Sequence, residues 1–235
     1  MVVRLFKLNN LIRCELIERL NRFTVKIMVG SEADLAHLTN TGRLREYIVR
    51  GREGLCSIIG GSKLKYRLVA VKDVEGYAIL DTLTQSKIFE YLLEHRLIPW
   101  LAECTLRSRN FRLVGVVIDY VLECVDGVRL AELKSAVLRV DSNYASYPDC
   151  PTIRGRKQIK VLADYSSVFK PYVILIASLP NVTSFKPYCL GDPEIINVIK
   201  YASEKGVTFK AINTYLDIEK WVILASTDLQ VKLEC

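Results

Sequence analysis

The chain has 235 residues, half of them hydrophobic and a quarter charged, with a formal charge of +7 at pH 7. That balance excludes disorder, because there is ample apolar surface to offset chain entropy, and no apolar run approaches the roughly 20 residues of a membrane-spanning helix. The excess of cations favours an anionic partner, with nucleic acid slightly ahead of an acidic membrane or a phosphorylated ligand, and the opening MVVRLFKLNN lacks the features of a signal peptide, so a cytoplasmic location is expected.

In chain order, residues 1–80 read as short strands and turns. LNRFTVKIMV (20–29) alternates in its second half, with Val25, Ile27 and Val29 on one face. LAHLTNTGRL (35–44) carries a turn signal at Asn40-Thr41-Gly42. LCSIIGGSKLKYRLVAVKD (55–73) predicts two strands about Gly60-Gly61-Ser62, and GYAIL (76–80) one more. Short strands with glycine turns point to a small β-barrel.

The texture changes after Asp81. Ile88, Leu92 and His95, with Phe89 and Leu93, predict a helix over 84–97, with Ser86 as N-cap and Pro99 as its end. A hairpin with Asp126-Gly127 as its turn follows, then a helix over 151–165 with Ile159, Leu162 and Ala163 inward. PYVILIASL (171–179) predicts a buried strand, and 192–206 a helix with Ile195, Val198, Ile199 and Ala202 on one face and Gly206 at its C-terminus. A strand begins at 207. Helices alternating with strands make this second region α/β.

Seven cysteines contain no CxxC pair, which excludes zinc-finger spacing. Cys104 and Cys124 sit in apolar stretches and read as small core residues, with a disulfide left open. His37 and His95 are the only histidines, so a metal would be held by oxygen ligands.

The charges inside GVVIDYVLECVDGVRLAELKSAVLR (115–139) stand out. Alternation predicts Val116, Ile118, Tyr120 and Leu122 on one face, Asp119 on the other, and Glu132 and Lys134 together on one face of the next strand. Two carboxylates can hold a hard divalent cation such as Mg²⁺, and a lysine beside them can position water or phosphate. The bland alternative is a solvated strand face. Glu90 and Glu103 are further candidate acids, Glu90 reading as solvated and Glu103 as set in apolar surroundings. YPDCPTIRGRKQIKVL (147–162) adds Asp149 and Thr152 as turn and cap residues and then Arg154, Arg156, Lys157 and Lys160 on a helix face, a candidate phosphate site as readily as an ordinary solvated face. Gly155, early in that helix, suggests close approach of another group.

These elements together resemble the sugar fermentation stimulation protein A family, archaeal members above all. Arg22-Phe23, Asn40-Thr41-Gly42, Asp81-Thr82, Asp119, Glu132-x-Lys134 and Pro148-Asp149…Thr152-x-Arg154-Gly155 match its motifs in order along nearly the whole chain. The resemblance implies an α+β two-domain protein: an N-terminal OB-fold β-barrel over 1–80 and a PD-(D/E)xK nuclease-like α/β domain with a mixed sheet over 81–235. It implies DNA binding largely without sequence preference and a regulatory role in sugar metabolism. Arg22, Phe23, Asn40, Lys65 and Arg67 would bind nucleic acid from the barrel, and Arg154, Arg156 and Lys157 from the second domain. The alternative is a Mg²⁺- or Mn²⁺-dependent nuclease with Asp119 and Glu132 as metal ligands and Lys134 as third catalytic residue. Val116-Val117 stand where the family usually has Ser-Arg, and Gln158 where it commonly has histidine, which favours binding over cleavage. DNA is the expected partner, with RNA and self-association left open and no membrane expected.

Overall fold

Five strands close on themselves near the N-terminus of the computed structural model, which describes residues 2–61 and 64–235. Strand β1 (Val3–Lys7) comes first, followed by the five: β2 (Leu11–Asn21), β3 (Thr24–Val29), β4 (Glu32–His37), β5 (Glu53–Ile58) and β6 (Tyr66–Asp73). β2 pairs with β3 and β3 with β4, β4 runs parallel to β6, and β5 joins β6 back to β2. This closure is that of an OB-fold barrel. Period-2 alternation drives it: Cys14 and Leu16 of β2, Val25 and Ile27 of β3, and Leu68 of β6 are buried inside. The glycine turn between β5 and β6 has Gly60 at φ +66, a conformation that glycine adopts at no steric cost; its Ser62 lies outside the described residues.

The second region begins with β7 (Gly76–Ile79), which pairs with β6 and reaches β15. Helix α1 (Thr82–Glu94) and a 3₁₀ turn (Pro99–Leu101) follow, then β8 (Cys104–Leu113), β9 (Val116–Cys124), β10 (Gly127–Ser135), β11 (Leu138–Val140) and β12 (Tyr144–Tyr147). The chain continues through α2 (Ile153–Asp164), α3 (Ser166–Phe169), β13 (Tyr172–Ala177), β14 (Ser184–Pro187), α4 (Ile195–Glu204), β15 (Thr208–Leu216) and β16 (Trp221–Val231). The sheet is mixed: β8, β9 and β10 are antiparallel, β10, β13 and β15 parallel, and β16 returns antiparallel to β15. Every residue of β13 is buried. Tyr172, Ile174 and Ile176 join the α1 residues Ile88, Phe89, Leu92 and Leu93 in one cluster; Val173, Leu175 and Ala177 join Ile159 and Leu162 of α2 and Ile195 and Ile199 of α4 in the other. Helices therefore cover both faces of the sheet, and the second cluster runs on into the barrel core. No helix among the described residues is long and apolar enough to cross a membrane.

Several expectations change. α1 starts earlier than predicted: Ser86 lies inside it, and the N-cap is Asp81, whose carboxylate accepts from Thr84 N at 3.0 Å. α1 stops at Glu94, before Pro99, because Arg96 takes a left-handed conformation at φ +53. β1, grouped in sequence with residues 1–80, is hydrogen-bonded to β16 of the second region. Cys104 and Cys124 sit opposite each other on β8 and β9 and are disulfide-bonded, as are Cys189 and Cys235.

Asp81 ties the regions together. It is fully buried and also accepts from the hydroxyls of Thr39 at 2.8 Å and Thr84 at 2.6 Å, with Arg67 Nε 3.3 Å away. Asp81→Ala leaves the Arg67 guanidinium without its counter-ion and α1 without its cap, and should cost about 3–5 kcal/mol in denaturant unfolding; a loss under 1 kcal/mol would show that the link contributes little.

Candidate functional site

β9 and β10 pair from Cys124–Gly127 up to Tyr120–Ala131, and there they part: from Ala131 onward β10 runs beside β13. Asp119 and Glu132 sit at the fork. Asp119 Oδ2 accepts the Leu133 N–H at 2.8 Å, and Glu132 Oε2 accepts the Asp119 N–H at 3.2 Å, so each carboxylate satisfies a backbone donor of the opposite strand. The strand turns over here. Ile118 and Tyr120, expected on one face, lie in opposite clusters, while Ile118 and Val121, three apart, share one. On the neighbouring β8, Asn110 adopts φ +56 between Arg109, opposite Tyr120, and Phe111, opposite Ile118.

Glu132 and Lys134 are not a solvated face: they are 2 % and 7 % exposed. Lys134 Nζ lies 2.6 Å from Glu132 Oε1 and donates to Gln158 Oε1 at 2.8 Å, while Gln158 Nε2 donates to the Val117 carbonyl at 2.7 Å. Burial pushes the Glu132 carboxyl up to about 7 against the opposing pull of Lys134. Burial likewise raises Asp119, with Lys134, the Leu133 N–H and Arg154 acting the other way. For Lys134, burial works to lower the ammonium, and Glu132 and then Tyr147 outweigh it, leaving it raised. The pair of anions in low dielectric, relieved by one ammonium, has the donor chemistry for a hard divalent cation. Among the described residues no cluster of three or more His, Cys, Asp or Glu forms, so such a cation would have two protein carboxylates and take its remaining oxygens from water or substrate.

α2 brings Gln158 into the fork. Thr152 caps it, accepting from Gly155 N at 3.3 Å. Gly155 lies against the Tyr147 hydroxyl, which a Cβ would strike, and Thr152 Oγ1 would be 2.6 Å from that Cβ. That contact is the close approach expected at this glycine.

The carboxylates and Lys134 line a cleft of about 840 Å³ between the barrel loop and α2. Arg22, Phe23, Asn40 and Arg154 line it too. Asn40 is buried and donates to Ser135 Oγ at 3.1 Å, so it joins the two walls. The other expected contacts lie elsewhere. Arg67 faces Asp81, and exposed Lys65 lies 3.5 Å from Asp34. Arg156 is engaged by Asp192 and, at 2.8 Å, by Glu194, which leaves its guanidinium little capacity for phosphate. Lys157 is exposed, with Nζ beside Gly115, outside the cleft. Glu90 is held by Arg109 at 2.7 Å and by the Tyr120 hydroxyl at 3.0 Å, and the Arg109 bond keeps its carboxyl low; Glu103 is exposed rather than set in apolar surroundings. Two residues join the site in the fold: Gln158, notable in the sequence for standing where the family commonly has histidine, and Tyr147, which the sequence does not mark. For Gln158 a second signal exists: it is a polar side chain beside Ile159 on the face of α2 that turns inward.

Two family models match the chain: the SfsA N-terminal OB domain over residues 17–80 and the sugar fermentation stimulation protein RE domain over residues 83–220. A sugar fermentation stimulation protein homolog of Pyrococcus furiosus is 38% identical over 222 residues, covering 94% of this chain and 96% of its own. One from Archaeoglobus fulgidus is 39% identical over 230 residues, covering 97% and 99%. The structure of Pyrococcus furiosus SfsA in complex with Ca²⁺ superposes with a TM-score of 0.94 at 37% identity, covering 98% of this chain and 99% of that one. The fold is thus that of the SfsA structure, an N-terminal OB domain followed by the domain that the family model describes as the RE domain.

Gly155→Ala should cost about 1–3 kcal/mol by overpacking against Tyr147, and Tyr147→Phe in the same chain should recover part of it. Additive losses in that double-mutant cycle would mean that the hydroxyl does not set the fit. The Glu132 carboxyl ionises near 4.5 in the unfolded chain and near 7 in the fold. Its contribution to metal-free stability is full below the lower value and is lost as pH rises through the upper one. Glu132→Gln should remove that slope from a pH series of denaturant midpoints; an unchanged slope would assign it to other groups.

Proposed function

The chain belongs to the sugar fermentation stimulation protein family, and we propose that it binds DNA in this cleft, largely without sequence preference, and holds Mg²⁺ or Mn²⁺ between Asp119 and Glu132. The observation that carries the reading is the convergence of two carboxylates and Lys134 on the floor of a cleft whose mouth holds Arg22 and Arg154. The barrel, within residues 1–80, supplies Arg22, Phe23 and one wall; residues 81–235 supply the carboxylates and α2. A bound cation offsets charge on a phosphodiester and activates water. The Ca²⁺ complex of the Pyrococcus furiosus relative supports a hard cation here. Arg22 and Arg154 would hold backbone phosphates, which position the strand without reading its sequence.

Hydrolysis is the second reading, and the buried Lys134–Glu132 contact favours it. An ammonium held 2.6 Å from one carboxylate, and anchored by Gln158, is placed to hold a phosphate oxygen or orient the attacking water.

Fluorescence anisotropy with labelled DNA should show the logarithm of affinity falling linearly with the logarithm of salt concentration, and Arg154→Ala should weaken binding and reduce the slope by about 1. Salt-insensitive binding, or none to any DNA, would falsify the binding reading. In a Mg²⁺ and Mn²⁺ titration followed by thermal unfolding, wild type should be stabilised and Glu132→Ala should not. If the second reading holds, Asp119→Ala loses cleavage and keeps most DNA binding; wild type that cuts no single-stranded, duplex or flapped DNA with either metal excludes it.

A further inference from the structure

Three large apolar side chains stand exposed around the mouth of the cleft: Phe23, Leu83 and Ile153, at 50 %, 49 % and 75 % exposure. They come from three separate places, the turn between β2 and β3, the first turn of α1 and the first turn of α2. Nothing in the cores calls for this, since each helix buries another face. The floor beneath them is formed by Asp119, Glu132 and Lys134, two of them under a tenth exposed.

We infer that the strand taken by this cleft is unpaired DNA, its bases resting on the rim of Phe23, Leu83 and Ile153 while its phosphates reach the carboxylate floor. The inference rests on the nucleic-acid reading of the cleft and names the substrate class within it. A duplex hides the faces of its bases by stacking and pairing, and offers a protein phosphates and groove edges. An unpaired strand offers π-faces, and every base has one, so Phe23 can stack on a base, and Leu83 and Ile153 can pack against a base face, whatever the sequence. The volume agrees: about 840 Å³ falls within the range of sites that enclose small ligands, suiting a short run of nucleotides.

The platform is held in advance. Arg19 ties the turn that carries Phe23 to the opposite loop, donating to the Arg22 carbonyl at 2.9 Å and to the Arg43 carbonyl at 2.7 Å. The Phe23 N–H is bonded to Asn21 Oδ1 at 2.8 Å. The Arg22 guanidinium lies 5.9 Å from the Phe23 ring centroid, which puts a phosphate-binding cation beside the stacking face.

The test compares three labelled DNAs on the full chain by anisotropy at one salt concentration: a single strand, the same strand made blunt duplex with its complement, and the same strand with consecutive abasic sites at its centre. The single strand should bind at least tenfold tighter than the duplex, and abasic sites should cost about tenfold for each base that stacks. Phe23→Ala with Ile153→Ala, both exposed and outside the packed cores, should erase most of the difference between intact and abasic strands and weaken single-strand binding more than duplex binding. Thermal unfolding of that variant checks that it is folded, and Phe23→Trp should keep the preference. Duplex binding as tight as single-strand binding, or equal affinity for intact and abasic strands, overturns the inference while the DNA-binding reading survives. Binding to none of the three overturns both.

Discussion

Two strands part, and the cleft is built on that parting. Where β10 leaves β9 for β13, backbone donors of both strands lose their ladder partners. Asp119 and Glu132 take them up, each accepting an N–H from the other strand. The carboxylates complete the sheet and are held close together in a partly dry place. Such a pair is costly to bury, and the surroundings answer that cost: Lys134 supplies a positive charge, Gln158 anchors Lys134, and the Val117 carbonyl accepts a hydrogen bond from the Gln158 amide. Because Gln158 must reach the fork, α2 has to lie close, and Gly155 against Tyr147 permits the approach.

The barrel forms the second wall, and its loop is fastened on both sides of the fork. Thr39 bonds Asp81 at the start of α1, Asn40 bonds Ser135 at the end of β10, and the Leu44 N–H donates to Asp149 before α2 at 2.8 Å. Gly42 is pressed against the same Asp149 carboxylate, where a Cβ would sit 2.7 Å from either oxygen. The loop over 39–44 is therefore clamped rather than loose, and a site held this way spends little binding energy on ordering itself. Further from the cleft, disulfides close the β8–β9 pair at Cys104–Cys124 and bind the C-terminal Cys235 to Cys189. A third pair of cysteines, Cys14 and Cys56, lies buried in the barrel wall with Sγ atoms 2.9 Å apart.

Sequence and structure meet most closely where a pattern is local. The Asp126-Gly127 turn fits a strand pair whose ends, Cys124 and Gly127, face each other. The apolar spacings of α2 and α4 pick out Ile159, Leu162 and Ala163 and then Ile195, Ile199 and Ala202, which are buried, while Val198 is only partly so, because a helix of period 3.6 turns the same face inward wherever it packs. The misses have local causes as well. Ser86 looks like a cap, yet Asp81 has the partners, two of them, Thr39 and Arg67, in the barrel. The even alternation expected across Ile118 and Tyr120 breaks because a strand leaving its neighbour need not keep its pleat. Residues 221–231 carry no turn or motif of note, and form β16 because β1, β14 and β15 all offer edges to it.

Residue order alone puts Glu132 and Lys134 on one face of a strand and Asp119 on its hairpin partner, since side chains two apart share a face of a regular strand. It also supplies the chemistry: hard oxygen ligands, a cation beside them, and no set of histidines or closely spaced cysteines to compete. Which basic residues remain free for a ligand lies beyond it. Arg67 and Arg156 read in sequence like Arg22 and Arg154, but Asp81 and Asp192, 14 and 36 positions away, claim them in the fold. The burial that raises the two carboxylates is likewise a property of α2, the barrel loop and the sheet packed together, because desolvation depends on everything within a few ångströms and not on neighbours in the chain.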